Sequence, residues 1–109
     1  MAYNEPLAAR IRTQLKGKRG VEEKRMFGGV GFLVHGNMAC GVHKNSLIVR
    51  LGAADYEQAL ATPHVSVFDM TGRPMKGWVM VADAGYATEK ALRVWVEKST
   101  AFAKSLPPK

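Results

Sequence analysis

Cysteine is almost missing from this chain: Cys40 is the only one in 109 residues. A single thiol excludes an intrachain disulfide. The opening MAYNEPLAARIR has no basic stretch leading into an apolar one, so no export signal is read and a cytoplasmic setting is expected. No apolar run approaches about 18 residues, so no membrane span is expected. Carboxylates are scarce too, 9 against 16 lysines and arginines, which leaves a net charge of +7 and a pI of about 9.9. The few that exist, among them Glu22, Glu23, Asp55, Glu57, Asp69 and Asp83, show no spacing that marks a general acid/base pair. Two histidines near Cys40, His35 and His43, fall short of a zinc set, which takes four ligands. No metal and no cofactor is therefore expected.

What is present is enough for one domain spanning 1–109, with 47% hydrophobic residues and a core that needs no covalent staple. Leu7, Ala8, Ile11 and Leu15 recur at helical spacing and predict a first helix over 5–16, with Pro6 in its first turn and Gly17 and Gly20 beyond its end. Residues 21–24 read as a short polar connection. Alternation over 25–34 predicts a strand interrupted by Gly28, Gly29 and Gly31, then a Gly36-Asn37 turn, a strand over 38–42, a turn over 43–46 and a strand over 47–51. A short helix fits 53–60, and strands over 65–70 and 76–81 flank the turn cluster Thr71-Gly72-Arg73-Pro74. The final helix starts at Thr88 as N-cap and buries Leu92, Trp95, Val96, Ser99, Phe102, Ala103 and Leu106. The order α-βββ-α-ββ-α predicts a two-layer α+β fold, a largely antiparallel five-stranded sheet with flanking helices. Apolar residues on both faces of the first strand, Phe27 and Leu33 against Phe32 and Val34, leave room for a homodimer or a partner groove on the second face.

Several motifs invite chemistry and fail on spacing. GGVGF lacks the lysine of a phosphate loop, and Val34 stands where a dinucleotide fingerprint needs its third glycine. Cys40 beside His43 lacks an orienting third group, and a free cysteine in a strand reads as a small core residue. The basic residues carry more weight. Residues 1–25 hold seven basic and three acidic side chains, a balance of +4. Arg12, Lys16 and Arg19 fall on the helix face away from the apolar stripe, and Lys18, Lys24 and Arg25 extend the cluster, a face able to follow phosphates or simply to be solvated. Arg73 and Lys76 bracket Pro74-Met75 in a second candidate binding element. The aromatics Phe27, Phe32, Phe68 and Trp78 lie in strands and form no RNP-like pair.

Arg25-Met26-Phe27-Gly28-Gly29-Val30-Gly31-Phe32, the Gly-Asn pair, the LIVRLG strand and the later TGRPMKGWVMV together resemble the N-terminal domain of the TfoX/Sxy competence regulators, over nearly the whole chain. The resemblance implies a fold like that of secretion chaperones and a role in regulation rather than catalysis. It supplies no catalytic residue: Met26, Phe27, Gly28, Gly29, Gly72, Pro74, Met75 and Gly77 read as marks of the fold. The founding members carry a second, helical domain. The expectation is a non-enzymatic binding or regulatory domain that acts through a protein partner. Nucleic-acid binding through the first helix and its basic neighbours is the alternative, and an enzyme built on Cys40 or a pocket is the third class.

Overall fold

The structure, a computed structural model, describes residues 3–26, 29–68 and 76–108. Helix α1 (Glu5–Leu15) is followed by four strands, β1 (Val21–Met26), β2 (Gly29–Val34), β3 (Asn37–His43) and β4 (Ser46–Arg50). Helix α2 (Ala53–Leu60), strands β5 (Val65–Val67) and β6 (Trp78–Val81), and helices α3 (Asp83–Tyr86) and α4 (Glu89–Ser105) complete the chain. The strands form one six-stranded sheet in the order β1-β2-β3-β4-β6-β5, antiparallel at every pairing.

The first helix forms where its apolar stripe requires. Asn4 accepts a hydrogen bond from the Leu7 amide at 3.0 Å and caps it, and Leu7, Ala8, Ile11 and Leu15 are all buried. Thr88 caps α4 through the Ala91 amide, and Leu92, Trp95, Val96, Ser99, Thr100 and Ala103 are buried along it. Ala103 packs in a smaller cluster with Val34 and Ala39. Leu7, Ala8, Ile11, Leu15, Leu92, Trp95 and Val96 join Tyr56 and Ala59 of α2 and Tyr86 of α3 in one core against Val30, Phe32, Cys40, Val42, Leu47, Val49, Val79 and Val81. By strand alternation those sheet residues share a face, so all four helices pack on the same side. Arg10 of α1 ties the helix layer together. Its guanidinium donates to Glu89 at 2.7 Å and to the carbonyls of Tyr86 and Ala87 at 3.0 and 3.2 Å.

The opposite face carries no helix among the described residues; α2 lies on the core side with the others. A single cross-strand row runs over it as Lys24, Gly31, Gly41, Ile48, Met80 and Ser66.

Three expectations are corrected here. The sheet has six strands, not five, because the expected connection 21–24 joins Arg25 and Met26 of the expected strand 25–34 in a strand of its own, and β2 begins only at Gly29. The order is thus α-ββββ-α-ββ-αα, with α3 as a further short helix. The first tight turn is His35-Gly36, one residue earlier than Gly36-Asn37: Val34 pairs with Asn37, and His35 and Gly36 take φ of 51° and 85°, as a two-residue hairpin with both central residues left-handed requires. Asn37 instead opens β3, buried, donating its side-chain amide to the Pro107 carbonyl at 2.9 Å. The expected continuation of the fourth strand to Met70, with Asp69, the turn 71–74 and Phe27, lies outside the described residues.

Candidate functional site

The strand that the sequence hides is what makes a site. α1 ends at Leu15, a turn over 16–20 reverses the chain, and β1 runs back along the sheet margin. The helix covers the sheet interior and leaves the helix-side surface of β1 open. Between them lies a groove of about 560 Å³. Leu15, Val21 and Phe32 line its floor, and Arg12, Lys16 and Lys18 stand along its rim. Leu15 and Phe32 are sealed, whereas Val21 is half-buried, so the apolar floor is shallow.

One ion pair spans this groove. Arg12 Nε donates to Glu23 Oε1 at 2.7 Å and its NH2 to Glu23 Oε2 at 2.8 Å, the two-pronged geometry that guanidinium and carboxylate favour. A weaker contact, 3.4 Å, joins Arg12 to Glu5. The hydrogen bond from Arg12 holds the Glu23 carboxyl below the ordinary carboxylate range, against the opposing effect of partial burial. A carboxyl depressed in the folded state stabilises the fold fully above its unfolded pKa and loses that contribution as pH falls through its folded pKa. Both partners are partly solvated, so the contribution is small. Glu23→Gln is expected to lower stability at neutral pH by less than about 1 kcal/mol and to flatten part of the acid limb in urea titrations at several pH values. An unchanged acid limb would remove the pair as its cause.

The basic residues singled out in sequence do not form one surface. Arg12, Lys16 and Lys18 converge on the groove. Arg25 lies on the same side of β1 as Glu23 and lowers its carboxyl further. Lys24, opposite Gly31, points to the other face, a consequence of strand alternation once 21–26 is a strand. Arg19 sits exposed in the turn after the helix rather than on a helix face. Lys76 is exposed beside β6, across β2, β3 and β4 from the groove, and Arg73 lies outside the described residues. Glu23, Val21 and Phe32 were not legible as site residues, since they reach the groove only when β1 folds back beside α1.

Cys40 is fully buried in β3, and burial pushes its thiol up to about 12, opposed by a hydrogen bond with Ser99. A neutral, enclosed thiol is a poor nucleophile. Native protein at neutral pH is expected to resist iodoacetamide, with alkylation appearing only on unfolding. Native labelling at the rate of a free thiol would contradict this burial. Among the described residues no group of three or more histidine, cysteine, aspartate or glutamate side chains is arranged to hold a metal ion.

The family model of the TfoX N-terminal domain matches residues 13–103, from the middle of α1 almost to the end of α4. The chain belongs to the TfoX N-terminal domain family. Neither the curated proteins nor the solved structures compared with it gave a match. In this TfoX N-terminal domain the matched span includes Lys16, Lys18, Val21, Glu23 and Phe32, and so most of the groove. Two glycines of the resemblance have visible structural work. A Cβ on Gly29 would run into the Val42 carbonyl oxygen. Gly77 offers its carbonyl to the amides of Leu51 and Gly52 at 2.7 and 3.1 Å, joining the start of β6 to the end of β4. Phe27, Gly28, Gly72, Pro74 and Met75 lie outside the described residues.

Proposed function

We propose that this chain is a non-enzymatic regulatory domain that acts by docking a protein partner in the groove between α1 and β1. Membership of the TfoX N-terminal domain family makes it a competence-regulator-like domain. The observation that carries the proposal is the make-up of the groove: a shallow apolar floor bounded by lysines on one side and a strand edge on the other. Protein side chains, part apolar and part charged, complement such a surface. A phosphate backbone asks instead for an open row of uncommitted cations. Here Arg12 is committed to Glu23 and Glu5, and Lys24 faces away. No helix among the described residues is long and apolar enough to cross a membrane, and the buried lone thiol fits the cytoplasmic setting expected from the sequence.

The test is a photo-crosslinking amino acid placed at Lys18 and, as control, at Lys76, in cells. Discrete protein adducts at position 18 and none at 76 are expected. Adducts removed by nuclease would transfer the function to nucleic acid. In that case anisotropy on duplex DNA should show a log–log salt slope of about −3, one for each of Lys16, Lys18 and Arg19. Equal adducts at both positions would deny the groove any special role.

A further inference from the structure

The sheet has two margins, and they differ. β5 is three residues long, whereas β1 runs for six and keeps an unbroken register with β2 from Val21↔Val34 to Met26↔Gly29. The irregularity in this part of the sheet falls between β2 and β3, not on the margin. Among the described residues β1 pairs with β2 alone, so its outer row of amides and carbonyls has no strand partner there. Charged side chains on such a strand discourage indiscriminate pairing. They also dictate which segment would pair.

The helix side of β1 presents Val21, Glu23 and Arg25 in sequence. Lys16 and Lys18 line the groove with Val21. Among the described residues, Lys16, Lys18 and Arg25 have no carboxylate at ion-pair distance, while Glu23 is already matched by Arg12. Along the helix side of β1 the charge is therefore positive beside Val21, nearly neutral at the Arg12–Glu23 pair, then positive at Arg25. A peptide lying beside it needs acid at both ends and an uncharged side chain in the middle. Side chains of an extended strand that share a face recur every second residue.

We infer that the partner is engaged through an extended acidic segment that adds as a further strand to the free edge of β1, with acidic, apolar and acidic side chains at alternate positions on the helix side of the sheet. The inference rests on the groove reading above and specifies its occupant. Main-chain hydrogen bonds to β1 supply the affinity, and the alternate side chains supply the selection. Acids at the two ends meet Lys16 and Lys18 on one side and Arg25 on the other. The middle side chain lies beside Glu23, opposite the Arg12–Glu23 pair.

The probe is a fluorescein-labelled peptide, SETVTES, titrated into the full chain, with fluorescence anisotropy and amide hydrogen exchange as readouts. Binding is expected, with slower exchange at amides of residues 21–26. The Lys16→Glu/Lys18→Glu variant should weaken it by about tenfold or more, as should exchanging the two peptide glutamates for lysine. Peptides N-methylated at one or the other alternate set of residues keep every side chain but lose main-chain donors, and one of the two should lose about tenfold in affinity. Binding that tolerates both methylations and leaves the β1 amides unprotected would overturn strand addition while leaving the groove reading intact. Absence of peptide binding would overturn the acidic occupant; if crosslinks at position 18 persisted, the groove reading would stand without it, and if duplex DNA bound instead, both would fall. Protection of β1 that rises with protein concentration and needs no peptide would assign the edge to a second copy of the chain.

Discussion

Phe32→Ala is expected to lower the unfolding free energy by about 4 kcal/mol. Phe32 is 1% exposed and heads the largest fully sealed side chains of the core. It stands in β2 between Glu23 of β1 and Cys40 of β3, at the place where the helix layer stops and the groove begins. Truncation removes its contacts with the core and leaves a cavity that rigid strands on both sides cannot close. Phe32→Leu retains most of the apolar volume and should lose only about 1–1.5 kcal/mol. Urea unfolding of the two variants checks this ordering. A loss below about 1 kcal/mol for the alanine variant would mean that the groove side yields and Phe32 is not packed as described. The leucine variant is also the one to carry into peptide titrations, since it changes the floor without endangering the fold.

Gly41→Ala is expected to cost about 3 kcal/mol, a large effect for one methyl group. β3 lies inside the sheet, between β2 and β4. A Cβ on Gly41 would come within 2.5 Å of the Val30 carbonyl oxygen and 3.1 Å of the Met38 methyl. The methionine can turn away. The carbonyl belongs to the neighbouring strand and moves only if the β2–β3 pairing moves with it. Gly17→Ala is the natural control, because nothing lies within 4 Å of its Cβ position and only its φ of +84° opposes the change. That substitution should cost about 1 kcal/mol. Thermal unfolding of both variants separates steric from conformational cost, and equal shifts would show that the close approach to Val30 is not what constrains position 41.

The helices were the legible part of this fold. The stripes of α1 and α4 follow from 3.6-residue spacing and Thr88 caps α4 as expected; α1 buries every residue expected of it, whereas α4 buries Leu92, Trp95, Val96, Ser99 and Ala103 but leaves Phe102 and Leu106, at its C-terminal end, only half-buried. β1 was not legible, and its place in the sheet explains why. An edge strand with one neighbour has little to bury, so residues 21–24 read as a polar connection, and Arg25 and Met26 as the start of the strand that follows. α3 escaped for a different reason. Four residues carry no periodic signal, and long-range bonds hold the segment: Tyr86 donates its hydroxyl to the Asn45 carbonyl at 2.6 Å, and Trp95 its indole N–H to the Gly85 carbonyl at 3.1 Å. The groove inherits both difficulties. Its rim cations were visible as a charged stretch, but its floor and its Arg12–Glu23 bridge exist only once an unrecognised strand lies beside a recognised helix.

The strand order carries a consequence for how the chain assembles as it is made. β1 through β4 are joined in succession, each to the next, so that meander closes through short loops as soon as residue 50 is available. β5 has no such option. Its place is outside β6, a strand that follows it in sequence, and β4 offers its free edge to β6 alone. During synthesis from the N-terminus, residues 65–67 must therefore wait, unpaired, until residues 78–81 emerge and dock on β4. The edge of β4 stays open for the same interval, and the late strand seals both at once.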